Sequence, residues 1–594
     1  MERRAFLVGG GMFAGLAGAA TMLPTSSKAK VGGPAANLLN QIIGSQSGSS
    51  LSRQTLPLEA QSNDLTPYTG AWTDVQLNHL LRRSMLGVPF SQYTTAKAMG
   101  TMSSVVNKLL DNTLPLPAKF ASYLDEYLTV DSKITDPNLR YIDSNNKQRL
   151  EVMRTQQVVN WWFDLMVKEN LSIREKMTLM WSNHFVTGTD ANRHAGHAYT
   201  YNQMLRANSL GNLKTFAYAM ATDPMMLVYL NGNQNFYGKD PMTGRGSGSH
   251  INENFARELM ELFTLGLIDP KTGKPNYTEA DVQSGASALT GWAPTVVAPF
   301  TGVFYPTSHD ATPVQYLGST LSNPSLQSVL DTIFGLGQGY NVAWFICQKI
   351  YWNFVYYDSS SASSQGVIDA MAKLLLQSNW ELVPVMKALL KSDHFYDANV
   401  IGSQLKSPTN WAAGIVREFQ LTYPAFSNAD ATVSGVDGKG INTYTDPNLT
   451  LSYITNSIMG TELGQMLQNP PNVKGWPGGE NWISTGTFPL RETVSLGVLA
   501  NTFDGSAKVR GIKITFAPLT WINSIPGAAN MTSVQLAAAA EALTIALQLG
   551  PKETATLYGA LNFLKLPETD FYLKDIYVQQ FAELIAQLPE FQLL

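Results

Sequence analysis

From Trp72 onward, apolar residues recur at helical spacing along most of the chain. Val75, Leu77, Leu80, Leu81 and Met85 share one face, and the pattern stops at Gly87-Val88-Pro89. Further apolar-faced helices are predicted over 150–167 and over 173–185, the second with Ser172 as N-cap. Residues 213–230 continue the theme. Thr278-Glu279-Ala280-Asp281 is a capping box opening a helix that ends before Gly291-Trp292. Alternating runs are sparse, and only 295–305, with Val296-Val297 and Val303-Phe304, suggests a small hairpin. The predicted fold class is therefore mainly α and multi-helical, with at most a small β-hairpin.

Three polar, Gly-rich excursions interrupt the helices, at 231–250, 293–323 and 423–448. Loops of this length usually cover a site or carry function. A chain of 594 residues exceeds what one core ordinarily holds, so two packed helical units are expected, over 71–325 and 326–594. Residues 30–70, rich in Gly, Ser, Asn, Gln and Pro, read as a flexible tether.

Ahead of the tether, Arg3-Arg4 precede Phe6-Leu7, and the stretch from Ala5 to Leu23 is apolar and uncharged but softened by glycines. This is the pattern of a twin-arginine export signal, read by the machinery that moves folded proteins, with cleavage after Ala29. The expected location is periplasmic or extracellular. No later segment reads as a membrane span, so no stable span is expected after processing.

Composition narrows the picture. Charged residues are only 14% and the net charge is −4, which excludes the basic footprint of a nucleic-acid binder. The single cysteine, Cys347, rules out an intramolecular disulfide and a thiolate zinc site. It sits in an apolar run typical of an inert buried thiol, and the chain has no Gly-x-Ser-x-Gly elbow.

The segment from Ile251 to Gly266 carries the clearest chemistry. At about 100° per residue, Glu253, Asn254, Arg257, Glu258 and Glu261 fall within an arc of about 140°. Phe255, Leu259, Met260, Leu262 and Phe263 take the other side. Periodicity alone favours a surface helix with Glu253–Arg257–Glu261 pairs at i, i+4. The sharper reading makes it the wall of a cleft, where the carboxylates, Arg257, Asn252 and Asn254 bind substrate, hold a metal or move protons.

Histidines number seven. His184 closes a predicted helix, as a core hydrogen bonder or a metal ligand. His194 and His197, at i, i+3, could chelate if helical. His309-Asp310 pairs an imidazole with a carboxylate in a polar loop. The stretch Asn469-Pro470-Pro471-Asn472-Val473-Lys474-Gly475-Trp476-Pro477-Gly478-Gly479-Glu480-Asn481-Trp482 is a rigid loop with two tryptophans. Exposed, Trp476 and Trp482 would stack on a sugar or a partner; folded inward, the favoured reading, they plug helices together.

In this order, several segments resemble the bacterial domain-of-unknown-function family 1800. They are His79-Leu80-Leu81-Arg82-Arg83, Arg174-Glu175-Lys176-Met177 running into Trp181-Ser182-Asn183-His184-Phe185, and Asn252 to Gly266. Tyr277 to Val282, Leu289-Thr290-Gly291-Trp292, His309-Asp310 and Pro470 to Gly479 follow. The resemblance runs from about residue 72 to the C-terminus. It implies a helical exported protein whose gene often neighbours that of family 1501, a sulfatase-like, co-exported candidate partner. It supplies no proven catalytic residues. Many members have His where this chain has Phe263, which lies on the apolar side of the helix and so is expected to pack.

Two functions are carried forward. One is a hydrolase with Glu253, Glu258, Glu261, Arg257, His309 and Asp310 as catalytic candidates and a cell-envelope or extracellular polymer as substrate. In it a carboxylate acts as general base, while Arg257 or a divalent metal on His184 and Glu258 stabilises negative charge. The other is a non-catalytic binding or assembly partner of the co-exported sulfatase-like protein.

Overall fold

A computed structural model describes residues 60–125, 144–244, 246, 248–436, 442–502, 511–545 and 571–594, with 549, 554, 555 and 557. The predicted export signal at 1–29 and the tether up to residue 59 lie outside the described residues.

The chain is mainly α-helical, as its periodicity predicts. Local capping explains several boundaries. Thr73 and Gln76 form a capping box that opens the helix Asp74–Ser84. Ile173, not the predicted Ser172, stands at the N-cap of Arg174–His184, while Ser172 Oγ one residue earlier accepts from the Arg174 amide at 3.0 Å. Thr278 and Asp281 form the predicted box at the head of Glu279–Ala288. Residues 213–230 form two helices instead of one run, Leu213–Ala221 and Pro224–Tyr229. Pro224 lacks the N–H a continuing helix needs, and Asp223 caps the new start through the Met225 amide at 2.8 Å.

The expected hairpin forms slightly outside its predicted span, Trp292–Pro294 pairing antiparallel with Gly302–Phe304. Two more short antiparallel pairs are present, Val314–Tyr316 with Ser319–Leu321 and Thr432–Val436 with Asn442–Thr445. All three lie in the long polar excursions, so the sheet content is somewhat larger than one hairpin and stays peripheral.

Residues 60–70, read from sequence as the end of the tether, are docked. The Tyr68 amide donates to the Lys391 carbonyl at 2.8 Å and the Asp393 amide to the Thr66 carbonyl at 2.7 Å. The Gln61 amide donates to Asp397 Oδ2 at 3.0 Å. Their polar composition hides this, because the anchoring runs through backbone groups that composition does not report.

One hydrophobic cluster extends from Ala60 to Phe591 and includes the fully buried Trp162, Trp181, Trp411 and Trp521. Side-chain bonds cross the expected boundary at 325. Arg154 grips Asp430 with Nε at 3.1 Å, Gln156 donates to Thr455 at 2.9 Å and Asn160 to Ser452 at 2.7 Å. The long helix Ser144–Lys168 is thus packed against residues of the C-terminal part. Among the described residues, no helix is long and apolar enough to cross a membrane.

Candidate acid–base site

The carboxylate segment begins as an α-helix, Asn254–Glu258, and passes into a π-helical turn, Leu259–Thr264. Its start is clasped by asparagines. Asn252 Oδ1 accepts from the Asn254 amide at 3.0 Å, and the Asn252 amide donates to Asn235 Oδ1 at 3.0 Å. Asn254 Nδ2 donates to the Leu230 carbonyl at 3.3 Å, and Asn235 Nδ2 reaches the Ala286 carbonyl at 2.8 Å. Asn252 and Asn254, read from sequence as binding residues, thus each also make structural hydrogen bonds. Asn254 ties the start of this helix to Leu230, and Asn235 bridges Asn252 to the end of Glu279–Ala288.

The π turn redistributes the carboxylates. With the Leu265 amide bonded to the Met260 carbonyl at 2.9 Å, the phase slips beyond Glu258, and Glu261 leaves the Arg257 row. Arg257 pairs with Glu253 at 3.2 Å and with Glu279 across the helix pair, Nη1 to Oε2 at 3.0 Å. The predicted Glu253–Arg257–Glu261 ladder is half formed, and Arg257 is occupied by structural pairs. Glu261 Oε2 accepts from the Tyr277 hydroxyl at 3.0 Å.

Glu258 is left as the distinctive carboxylate. It is half-buried and has no hydrogen-bond partner among the described residues. Burial raises its pKa, and the charge of Glu261 raises it further, against the pull of Arg257 and Lys474. Burial and then the Glu258 charge likewise raise the Tyr229 hydroxyl. Glu258 thus feels a carboxylate and two cations and acts on the Tyr229 phenol, and its proton affinity is raised above that of an ordinary glutamate.

Lys474 is brought there by the Pro/Gly loop, which docks on the end of Arg174–His184. Asn183 Oδ1 accepts from the Trp476 amide at 2.7 Å and its Nδ2 donates to the Trp476 carbonyl at 3.2 Å. Gly475, at φ +79°, leaves no room for a side chain, since a Cβ would stand 2.2 Å from Asn183 Oδ1. Trp476 and Trp482 are 4% and 9% exposed, so neither offers an open ring face, and the stacking-platform role gives way to the plug.

The histidines are held by backbone carbonyls. His184 Nε2 lies 3.1 Å from the Phe263 carbonyl. Burial, then the charge of Lys349, pushes it down to about 3, so it is neutral. Phe263 packs, 1% exposed. His197 Nε2 lies 2.8 Å from the Thr295 carbonyl, and its ring stacks on His194 with centroids 4.1 Å apart. Stacked faces do not converge their nitrogens on one ion. His309 contacts the carbonyls of Thr290 at 3.1 Å and Pro324 at 3.0 Å. Asp310 accepts from Ser287 Oγ at 2.6 Å and from the Thr312 amide at 3.0 Å. His309 and Asp310, read as catalytic candidates, thereby pin the 293–323 excursion to the end of Glu279–Ala288.

Among the described residues, no group of three His, Cys, Asp or Glu side chains could hold a metal ion. His184 and Glu258 are not completed by a third ligand, so the donor set does not fit the divalent metal considered from sequence. Cys347 is buried, and burial pushes its thiol up. Sequence reasoning missed Tyr229, Tyr277 and Lys474 as partners of the carboxylates. Tyr277 and Lys474 stand in the segments singled out above, whereas Tyr229 carried no signal.

No curated protein and no solved structure matches the chain. The family described as "Protein of unknown function (DUF1800)" matches residues 79–593, and the chain belongs to that family.

Proposed function

We propose that this protein is a hydrolase whose acid–base residue is Glu258. The observation that carries the reading is a half-buried carboxylate without a hydrogen-bond partner, its pKa raised by burial and by Glu261, while Glu253, Glu261 and Arg257 are all engaged. A group so tuned takes a proton from an attacking water and returns it to the leaving group. Lys474 supplies the positive charge that stabilises the developing anion, in place of Arg257. The twin-arginine pattern at 1–29 supports export in the folded state to the periplasm or beyond, and hence a cell-envelope or extracellular polymer as substrate.

The test is turnover of soluble cell-envelope polysaccharides in isotope-labelled water. Wild-type protein should place label in the product, and Glu258→Gln should lose at least about a hundredfold in rate. Equal turnover by both proteins would refute the assignment.

A second reading, assembly with a co-exported sulfatase-like protein, is favoured by one feature. Leu267 and Ile268, immediately after the carboxylate helix, are 51% and 53% exposed. Co-purification with that partner, abolished by Leu267→Asp and with no turnover of any polymer, would select it.

A further inference from the structure

A second concentration of unusual groups lies in the interior, away from Glu258. The helix Asp74–Ser84 places Arg82 and Arg83 at 1% and 0% exposure. Arg82 Nη1 stands 3.3 Å from Glu418, and its Nη2 donates to the Leu543 carbonyl. Lys406, equally buried, approaches the same carboxylate at 3.6 Å, too long for a hydrogen bond. Arg491 donates to the Lys406 carbonyl at 3.0 Å and to Gln592 Oε1 at 3.2 Å. Arg83 donates to the carbonyls of Val355 at 2.9 Å and Val400 at 2.6 Å. On the helix Arg174–His184, the partly exposed Lys176 feels the charges of Arg83 and Lys406, and its amine has no partner among the described residues.

Arg82 and Lys406 thus meet one carboxylate, Glu418, while Lys406 also feels the charges of Arg82 and Arg491, and Lys176 those of Arg83 and Lys406. Arg417 adds a further positive charge, drawn first by the Glu169 carboxylate and then by Glu418, with its own N–H groups on the carbonyls of Met166 and Glu169. The carbonyls satisfy N–H groups but bring no charge. Several donors stay without a hydrogen-bond partner, namely Nε of Arg82, Arg83 and Arg491, the Lys406 ammonium (which also lies over the Phe591 ring), the Trp411 indole N–H and the Gln592 amide. Uncompensated buried charge is the most expensive arrangement a fold can hold. Burial, with the neighbouring cations, depresses Lys176 to about 7, and burial depresses Lys406 to about 8 even with Glu418 opposing it. Buried water would satisfy the donors and leave the charge in place. An oxyanion does both, and guanidinium and ammonium donors are the groups that recognise one.

We propose that these side chains form an internal oxyanion site, entered past Lys176, that takes a carboxylate or a phosphoryl group. The site is separate from the Glu258 centre and does not depend on its role. The test is thermal unfolding of the full protein, stripped of bound ions by extensive dialysis, titrated with phosphate, acetate or chloride at fixed ionic strength. Phosphate or acetate should raise Tm saturably while chloride does not, and whichever acts identifies the phosphoryl or the carboxylate source. Lys176→Met removes a partly exposed, unpaired cation and should fold; it should weaken the apparent affinity roughly tenfold. Identical Tm in all three salts, or unchanged affinity in Lys176→Met, would overturn the proposal.

Discussion

At the residue scale, the account turns on which of three carboxylates is free. Their clustering was legible, because helical spacing puts Glu253, Glu258 and Glu261 within one arc. Their division of labour was not. The partners that take Glu253 and Glu261 out of play, Glu279 through Arg257 and Tyr277, come from outside the helix, and no periodicity predicts which side chains will meet. A pH dependence follows from the environment of Glu258. Its folded-state pKa is raised, so the folded protein prefers the neutral acid, and ionisation above that pKa weakens the fold. Glu258→Gln should therefore melt no lower than wild type at neutral pH, while losing activity. The difference should close below about pH 4, where both side chains are neutral. Parallel thermal melts over the pH range check this, and a large loss of Tm in Glu258→Gln at neutral pH would mark Glu258 as structural.

At the element scale, what is local was readable and what is tertiary was not. The Thr278 capping box involves residues three apart and forms as read. The π turn at Leu259–Thr264 leaves no mark in hydrophobic spacing, since Phe255, Leu259, Met260 and Phe263 are buried in either winding. The Pro/Gly loop was recognisable as rigid, yet its seat on Asn183 required the folded chain. Asn183→Ala removes both bonds to Trp476, each contributing about 1 kcal/mol. The loop should then become cleavable by protease between 470 and 482. Turnover should fall as Lys474 loses its position, while the helical circular dichroism is unchanged. Undiminished protease resistance would show that the two plugged tryptophans hold the loop without Asn183.

At the scale of the whole molecule, size suggested two packed units, and bonds run across residue 325 between them. Arg154 to Asp430, Asn160 to Ser452 and Asn183 to Trp476 join the two sides, and the Arg82–Glu418 pair is buried between them. Severing the sides would strand that charge, a loss of roughly 3–5 kcal/mol for a buried pair broken on one side. Calorimetry should accordingly show one cooperative transition, and a fragment of residues 60–325 should not fold alone. Two resolved transitions, or a folded fragment, would show two separable units. Without a disulfide, this continuous core carries the stability that an exported protein needs, which suits a chain proposed to be exported already folded.

The central claim is that Glu258 is a tuned acid–base group. Its own titration, followed by carboxyl carbon resonances in wild type and assigned by loss of the signal in Glu258→Gln, tests that claim without knowledge of the substrate. The account predicts a pKa above the ~4.3 of an ordinary glutamate, moving down when Glu261→Gln removes the neighbouring charge. A Glu258 that titrates at or below the ordinary value, or that ignores Glu261, would contradict it.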